Sequence, residues 1–222
     1  MEWPSSVSEL VDEQMRIASM NVSDWRPDET SLTGGVFVCF ERGGTGPGEE
    51  GDLGWSAAAV RVGRRSHVST VTGLAGATYT PGLLALREGR LLDAAVRSLA
   101  VRPDVLLVDA TGRDHPRRAG LAVHLGAVLD IPTVGVTNRP LVAFGTWPGE
   151  GRLATSPLSI GGDLVGFRLR TRETAKPVCI HAGWRTSPEV AVEVVVAVAG
   201  RYRTPGPLRT ARTLARRRRS TD

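Results

Sequence analysis

"DVLLVDATGRDHPRRAGLAVHLGAVLDIPTVGVT", residues 104–137, holds the pattern that decides the fold. "DVLLVDA" (104–110) is a short, uninterrupted apolar run that stops at Asp109, as expected for a strand buried on both faces. A charged turn follows with His115, and "RRAGLAVHLGAVLD" (117–130), which carries His124, predicts a helix. "PTVGVT" (132–137) predicts a second strand. Strand, helix and strand in that order imply two parallel strands joined by a right-handed crossover. The end of such a strand is where folds of this class place chemistry, so Asp109 and His115 are the first candidate site residues.

Upstream, "GLLALREGRLLDAAVRSLA" (82–100) predicts another helix. Before it, "GGVFVCF" (34–40), "LGWSAAAVRV" (53–62) and "SHVSTVTGL" (66–74) predict an antiparallel meander. "RGGTGPGEEGD" (42–52) reads as a turn-rich loop, and "VSELVDEQMRIASM" (7–20) as a helix capped by Ser6. Downstream, "LSIGGDLVGFRLRT" (158–171) predicts a hairpin, "KPVCIHAG" (176–183) a short strand or turn and "SPEVAVEVVVAVAG" (187–200) a helix. Three antiparallel strands feeding a parallel strand-helix unit have the layout of a ribonuclease-H-like α/β fold, a mixed sheet with helices on both faces.

The 222 residues suit one domain, taken as residues 1–200, with residues 201–222 as an appended tail. No run approaches the ~20 apolar residues of a membrane span, and the start lacks a signal pattern, so the expected location is cytoplasmic. Cys39 and Cys179 fall in strand-like runs and read as buried thiols. The net charge of +5 is misleading. The last 22 residues hold eight Arg and one Asp, which leaves the remaining 200 residues at −2. That tail reads as a solvated, disordered end, or as a nucleic-acid contact acting by counterion release. Only Lys176 among the 28 basic residues is lysine, a bias that makes any single Arg uninformative.

"YTPGLLALREG" (79–89), "VDATGRDHPRRAGLAVHLG" (108–126), "IPTVGVT" (131–137) and "LVGFRLRTR…KPV" (164–178) together resemble endonuclease V in order and spacing. The resemblance runs from about residue 10 to 200. It implies a metal-dependent nuclease that cuts a phosphodiester near a deaminated purine, deoxyinosine in DNA or inosine in RNA. It implies magnesium held by carboxylates, because magnesium takes oxygen ligands and screens the anionic phosphodiester. Glu88 and Asp109 match two of those carboxylates. His115 matches the histidine beside them, Tyr79 and Pro81 the wedge pushed into the duplex, and Gly82 and Gly112 the backbone that approaches the flipped base.

Three departures cluster on that site. The family's first-strand aspartate is Phe37, and an aromatic ring cannot ligate magnesium. Cys39 shares Phe37's face but lies ~7 Å along the strand and offers a soft thiolate. The family lysine after the parallel strand is Asn138. "HAGWR" (181–185) stands for the family's "SPGHR", with Trp184 at its histidine.

The expectation drawn from these changes is a small-molecule enzyme that keeps the base-sized pocket. Glu88, Asp109, His115 and Tyr79 would be its acid/base groups; Phe37, Cys39, Pro81, Gly82, Gly112, Asn138 and Trp184 would line it. No cofactor would be tightly bound, and magnesium would be weak or absent at Glu88 and Asp109. The competing expectations are an endonuclease acting at deoxyinosine or inosine, and a non-catalytic protein that binds modified bases.

Overall fold

The structure is a computed structural model describing residues 2–41 and 48–221. Most of the glycine-rich loop expected at 42–52 lies outside the described residues. The expected meander is present as β1 (Thr33–Phe40), β2 (Leu53–Val62) and β3 (Arg65–Leu74). Then come α2 (Leu84–Arg97), β4 (Val105–Val108), α3 (Leu121–Leu129) and β5 (Thr133–Thr137). The hairpin is β6 (Thr155–Ile160) and β7 (Asp163–Leu169), followed by β8 (Val178–Ala182), α4 (Pro188–Ala197) and α5 (Gly206–Thr221). The N-terminal helix α1 (Val7–Ser19) starts as predicted, with the Ser6 hydroxyl accepting from the Glu9 N–H.

One eight-stranded sheet runs β3-β2-β1-β4-β5-β8-β7-β6. β4 pairs parallel with both β1 and β5, and the other pairings are antiparallel. Alternation along the strands splits the core into two layers. Val36, Val38, Leu106 and Val108 face α1, α2 and α3. Phe37, Cys39, Val105 and Leu107 face α4 and α5. This is the ribonuclease-H-like mixed sheet read from the sequence. Among the described residues no helix is long and apolar enough to cross a membrane.

The predicted helix 117–130 begins four residues late. Arg118 has φ 56° and Gly120 is the cap, so the Arg pair lies in a turn. Inside α3, His124 is fully buried and stacks on Trp3, ring centroids 4.9 Å apart. Burial pushes its pKa down to about 4; the Glu13 carboxylate opposes that shift and the Arg16 charge adds to it. A histidine that must stay neutral to remain buried stabilises the fold above its unfolded pKa of about 6.5 and loses that contribution as pH falls towards 4. Urea unfolding between those pH values should show a loss of up to about 3 kcal/mol. His124→Phe, which keeps the stack on Trp3, should flatten that slope, and an unchanged slope would assign the loss elsewhere.

The largest departure from the sequence reading is the Arg-rich end. It is not a disordered tail but the helix α5, laid across β1 and β2. Leu208, Ala211 and Ala215, spaced three and four apart, are fully buried against the sheet. Gly35 permits this approach, since a Cβ there would stand 2.4 Å from the Leu208 nitrogen. Charge count concealed the stripe: the arginines occupy the flanks and the outer face, where they stay hydrated.

Candidate nucleic-acid site

Register places the site. Val36 pairs with Val108 in the parallel β1–β4 ladder, so Phe37 and Asp109, one residue on, are neighbours on the face covered by α5. Beside them a cleft of about 170 Å³ opens at the ends of β4 and β5. Tyr79, Pro81, Gly82, Asp109, His115 and Thr137 are in its wall. Glu88 sits behind Asp109 on α2. Desolvation, with the negative charge of Asp109 second, pushes the Glu88 carboxyl up to about 8, so it is mostly protonated at neutral pH.

His115 is almost fully buried, and both its ring nitrogens are engaged by backbone. Nδ1 accepts from the Arg117 N–H at 3.2 Å, which leaves Nε2–H to donate to the Gly82 carbonyl at 3.0 Å. The same carbonyl accepts from Arg117 Nη2 at 3.0 Å and Gln14 Nε2 at 3.2 Å. Arg117 Nε in turn donates to Gln14 Oε1 at 2.6 Å. Burial lowers the His115 pKa further. The histidine is thus a neutral clamp on the Tyr79–Gly82 turn. It has no nitrogen left for proton transfer, contrary to the acid/base role expected of it.

Asp109 is not a lone carboxylate. Its two oxygens accept from Arg212 of α5, at 2.6 Å from Nη2 and 3.2 Å from Nε. The Arg212 guanidinium lies over the Phe37 ring at 5.5 Å, and that of Arg216, one turn on, at 5.4 Å. Asn138 also meets an arginine of the C-terminal segment, its Oδ1 accepting from Arg203 Nη1 at 2.6 Å. Burial lowers the Arg203 pKa, and the nearby charge of Arg212 lowers it further.

Three expected site residues lie elsewhere. Trp184 is buried with Ile17, Ala119 and Val123 in a separate cluster between α1 and α3, because its backbone follows β8 under those helices. Cys39 is buried in the core beneath α4 and α5. Gly112 does not face the cleft; a Cβ there would stand 2.0 Å from the Ala182 carbonyl oxygen, so the glycine serves contact with β8.

Sequence reading missed Arg203, Arg212 and Arg216, although the i, i+4 spacing of the last two beside the Leu208–Ala211–Ala215 stripe would have placed them. It also missed Asp114, fully buried, which accepts from the N–H groups of Leu141, Val142 and Ala143 at 2.7, 2.9 and 2.8 Å. His181 Nδ1 stands 3.5 Å from the same carboxylate. This pins the loop after β5 to the loop after β4, and with it Leu141 in the cleft wall.

Magnesium, which the sequence resemblance implies, does not fit this donor set. The first-strand position offers an aromatic ring and both Asp109 oxygens are occupied by a guanidinium. Among the described residues no three His, Cys, Asp or Glu side chains come together as a metal-holding group.

The comparisons with known proteins agree on the family. The endonuclease V family model matches residues 49–213. Endonuclease V of Streptomyces avermitilis is 34% identical over 220 residues, 97% of this chain and 93% of that one. The crystal structure of the Streptomyces avermitilis endonuclease V superposes with a TM-score of 0.85 at 32% identity, covering 99% of this chain and 96% of that one. Endonuclease V of Roseiflexus sp. is 41% identical over 137 residues, but that match spans 62% of each chain. The endonuclease V of Ciona intestinalis, in complex with a 24mer DNA containing an inosine followed by a ribo-adenosine, shares the fold at TM-score 0.74 and 19% identity, over 97% of this chain and 98% of that one. With its sheet order, its cleft at the end of β4 and a match extending over nearly the whole Streptomyces protein, this chain belongs to the endonuclease V family.

Proposed function

We propose that the protein recognises a deaminated purine in nucleic acid, taking the base into the cleft beside Tyr79, Pro81 and Gly82. The observation that carries this reading is the Arg-rich helix α5, which packs on β1 and β2 and reaches Asp109 in the cleft wall through Arg212. The only strongly basic part of the chain is brought to the site, where it favours a polyanion over a neutral metabolite. The cleft has room for one nucleobase. Tyr79 is 43% exposed at its rim, and the loop beyond Leu141 carries Phe144 and Trp147 at 83% and 59% exposure. Exposed rings beside guanidinium groups are the combination that binds unpaired strands, by stacking and charge together. The small-molecule reading loses its main support, because His115 is bonded away and Asp109 is paired.

Strand cleavage at the same base is the second reading, favoured by the relatives' shared name and by the presence of Glu88 and Asp109. One titration addresses both, using a labelled single strand with one deoxyinosine and its deoxyadenosine twin. The inosine strand should bind about tenfold tighter, and Tyr79→Ala should weaken both by about tenfold through lost stacking. Equal affinity for the two strands, unmoved by Tyr79→Ala, would remove base recognition. Nicked product when the same titration is run with magnesium would favour the second reading.

A further inference from the structure

Arg212 lies between the two positions, Phe37 and Asp109, where the family resemblance implies a metal. Three of its five N–H groups are engaged, two by Asp109 and one by the Thr204 hydroxyl at 3.1 Å. Two donors remain. Arg216 is exposed and, among the described residues, has no acidic partner. Arg203 is held beside them by the carbonyls of Lys176 and Pro177, at 2.6 and 2.9 Å, and by Asn138. Of the three, Arg212 alone binds Asp109; Arg216 shares the Phe37 ring with it, and Arg203 lies within electrostatic reach of Arg212. A bridge that merely fastened α5 to β4 would need Arg212 alone. It would not call for a second arginine over the same ring, or a third within electrostatic reach.

We propose that Arg212, Arg216 and Arg203 form a metal-free binding site for a backbone phosphate, with the Arg212 guanidinium standing where a divalent cation would otherwise neutralise that phosphate. The ligand class is a phosphodiester flanking the base in the cleft, so this site rests on the nucleic-acid reading above. Guanidinium suits the task. It is planar, permanently charged, and presents paired N–H groups that match two phosphate oxygens. Asp109 acts as a positioning residue, fixing the Arg212 plane by its two hydrogen bonds. Phe37 supports the face of the same plane, which gives an aromatic residue a reason to be at this position.

The test is fluorescence anisotropy with the deoxyinosine strand and its deoxyadenosine twin, in EDTA and in magnesium at matched ionic strength. The wild-type affinity should agree within about twofold in the two buffers. Arg216→Gln and Arg212→Gln should each weaken both strands by about five- to tenfold. Each should also lower the slope of log K against log salt by about 0.7, the value for one lost phosphate contact on a single strand. Arg212→Gln can also loosen α5, so its melting temperature is measured in parallel. Arg216 is exposed, and its variant keeps the fold. Binding that requires magnesium, or Arg216→Gln binding both strands like wild type, overturns the phosphate site. Equal wild-type affinity for inosine and adenosine strands, with the arginine effects intact, sinks base recognition and leaves the phosphate site standing.

Discussion

A deoxyinosine duplex incubated with this protein and magnesium is expected to be nicked at least about a thousandfold more slowly than by a family member that keeps the first-strand aspartate, the scale of loss when one catalytic group is removed. The cause is local. Phe37 supplies no ligand, and Arg212 holds both oxygens of Asp109. Phe37→Asp alone should restore little, because the new carboxylate would meet the guanidinium groups of Arg212 and Arg216 and pair with them. Phe37→Asp with Arg212→Ala frees both Asp109 oxygens, leaves Arg216 as the remaining competitor, and should gain magnesium affinity by calorimetry, a readout independent of cleavage. If the double variant binds no magnesium, the internal cation is not what excludes the metal. Brisk nicking by the unmodified protein, abolished by Asp109→Ala, would show that a metal displaces Arg212 and would restore the ordinary nuclease.

The second large effect concerns Asp114. Asp114→Ala should cost about 3–5 kcal/mol in urea unfolding, because three N–H groups, that of Ala143 buried, lose a fully buried acceptor together. In a chain of this size that lowers the melting temperature by about 10 °C. Asp114→Asn keeps one acceptor oxygen and should cost roughly half as much. The loop carrying Leu141 would be released from the loop carrying His115, so strand binding should weaken even at temperatures where the variant is folded. A loss below about 1 kcal/mol would mean that water satisfies those N–H groups as well as the carboxylate does.

Local pattern determined the sheet. Uninterrupted apolar runs at β1, β4 and β5 and the helical spacing of α2 and α3 are properties of neighbouring residues, so they could be read in order, and the parallel crossover followed from strand handedness. The same order brought Glu88, Asp109, Tyr79, Pro81 and Gly82 to one end of the sheet. The roles of the remaining site residues depended on partners far away in the chain. Trp184 was placed at the site by motif position, yet β8 carries it under α1 and α3. His115 looked like an available base until Gly82, 33 residues earlier, proved to hold its Nε2. Arg212 pairs with a carboxylate 103 residues away, and no periodicity in the tail shows that distance closing. Composition marked residues 201–222 as excess charge. Only the fold shows that three small or apolar side chains, 208, 211 and 215, bury enough surface to fix the helix on β1, and that doing so delivers the charge to Asp109. A pairwise contact across the chain is a product of packing, and packing is decided by all the elements at once.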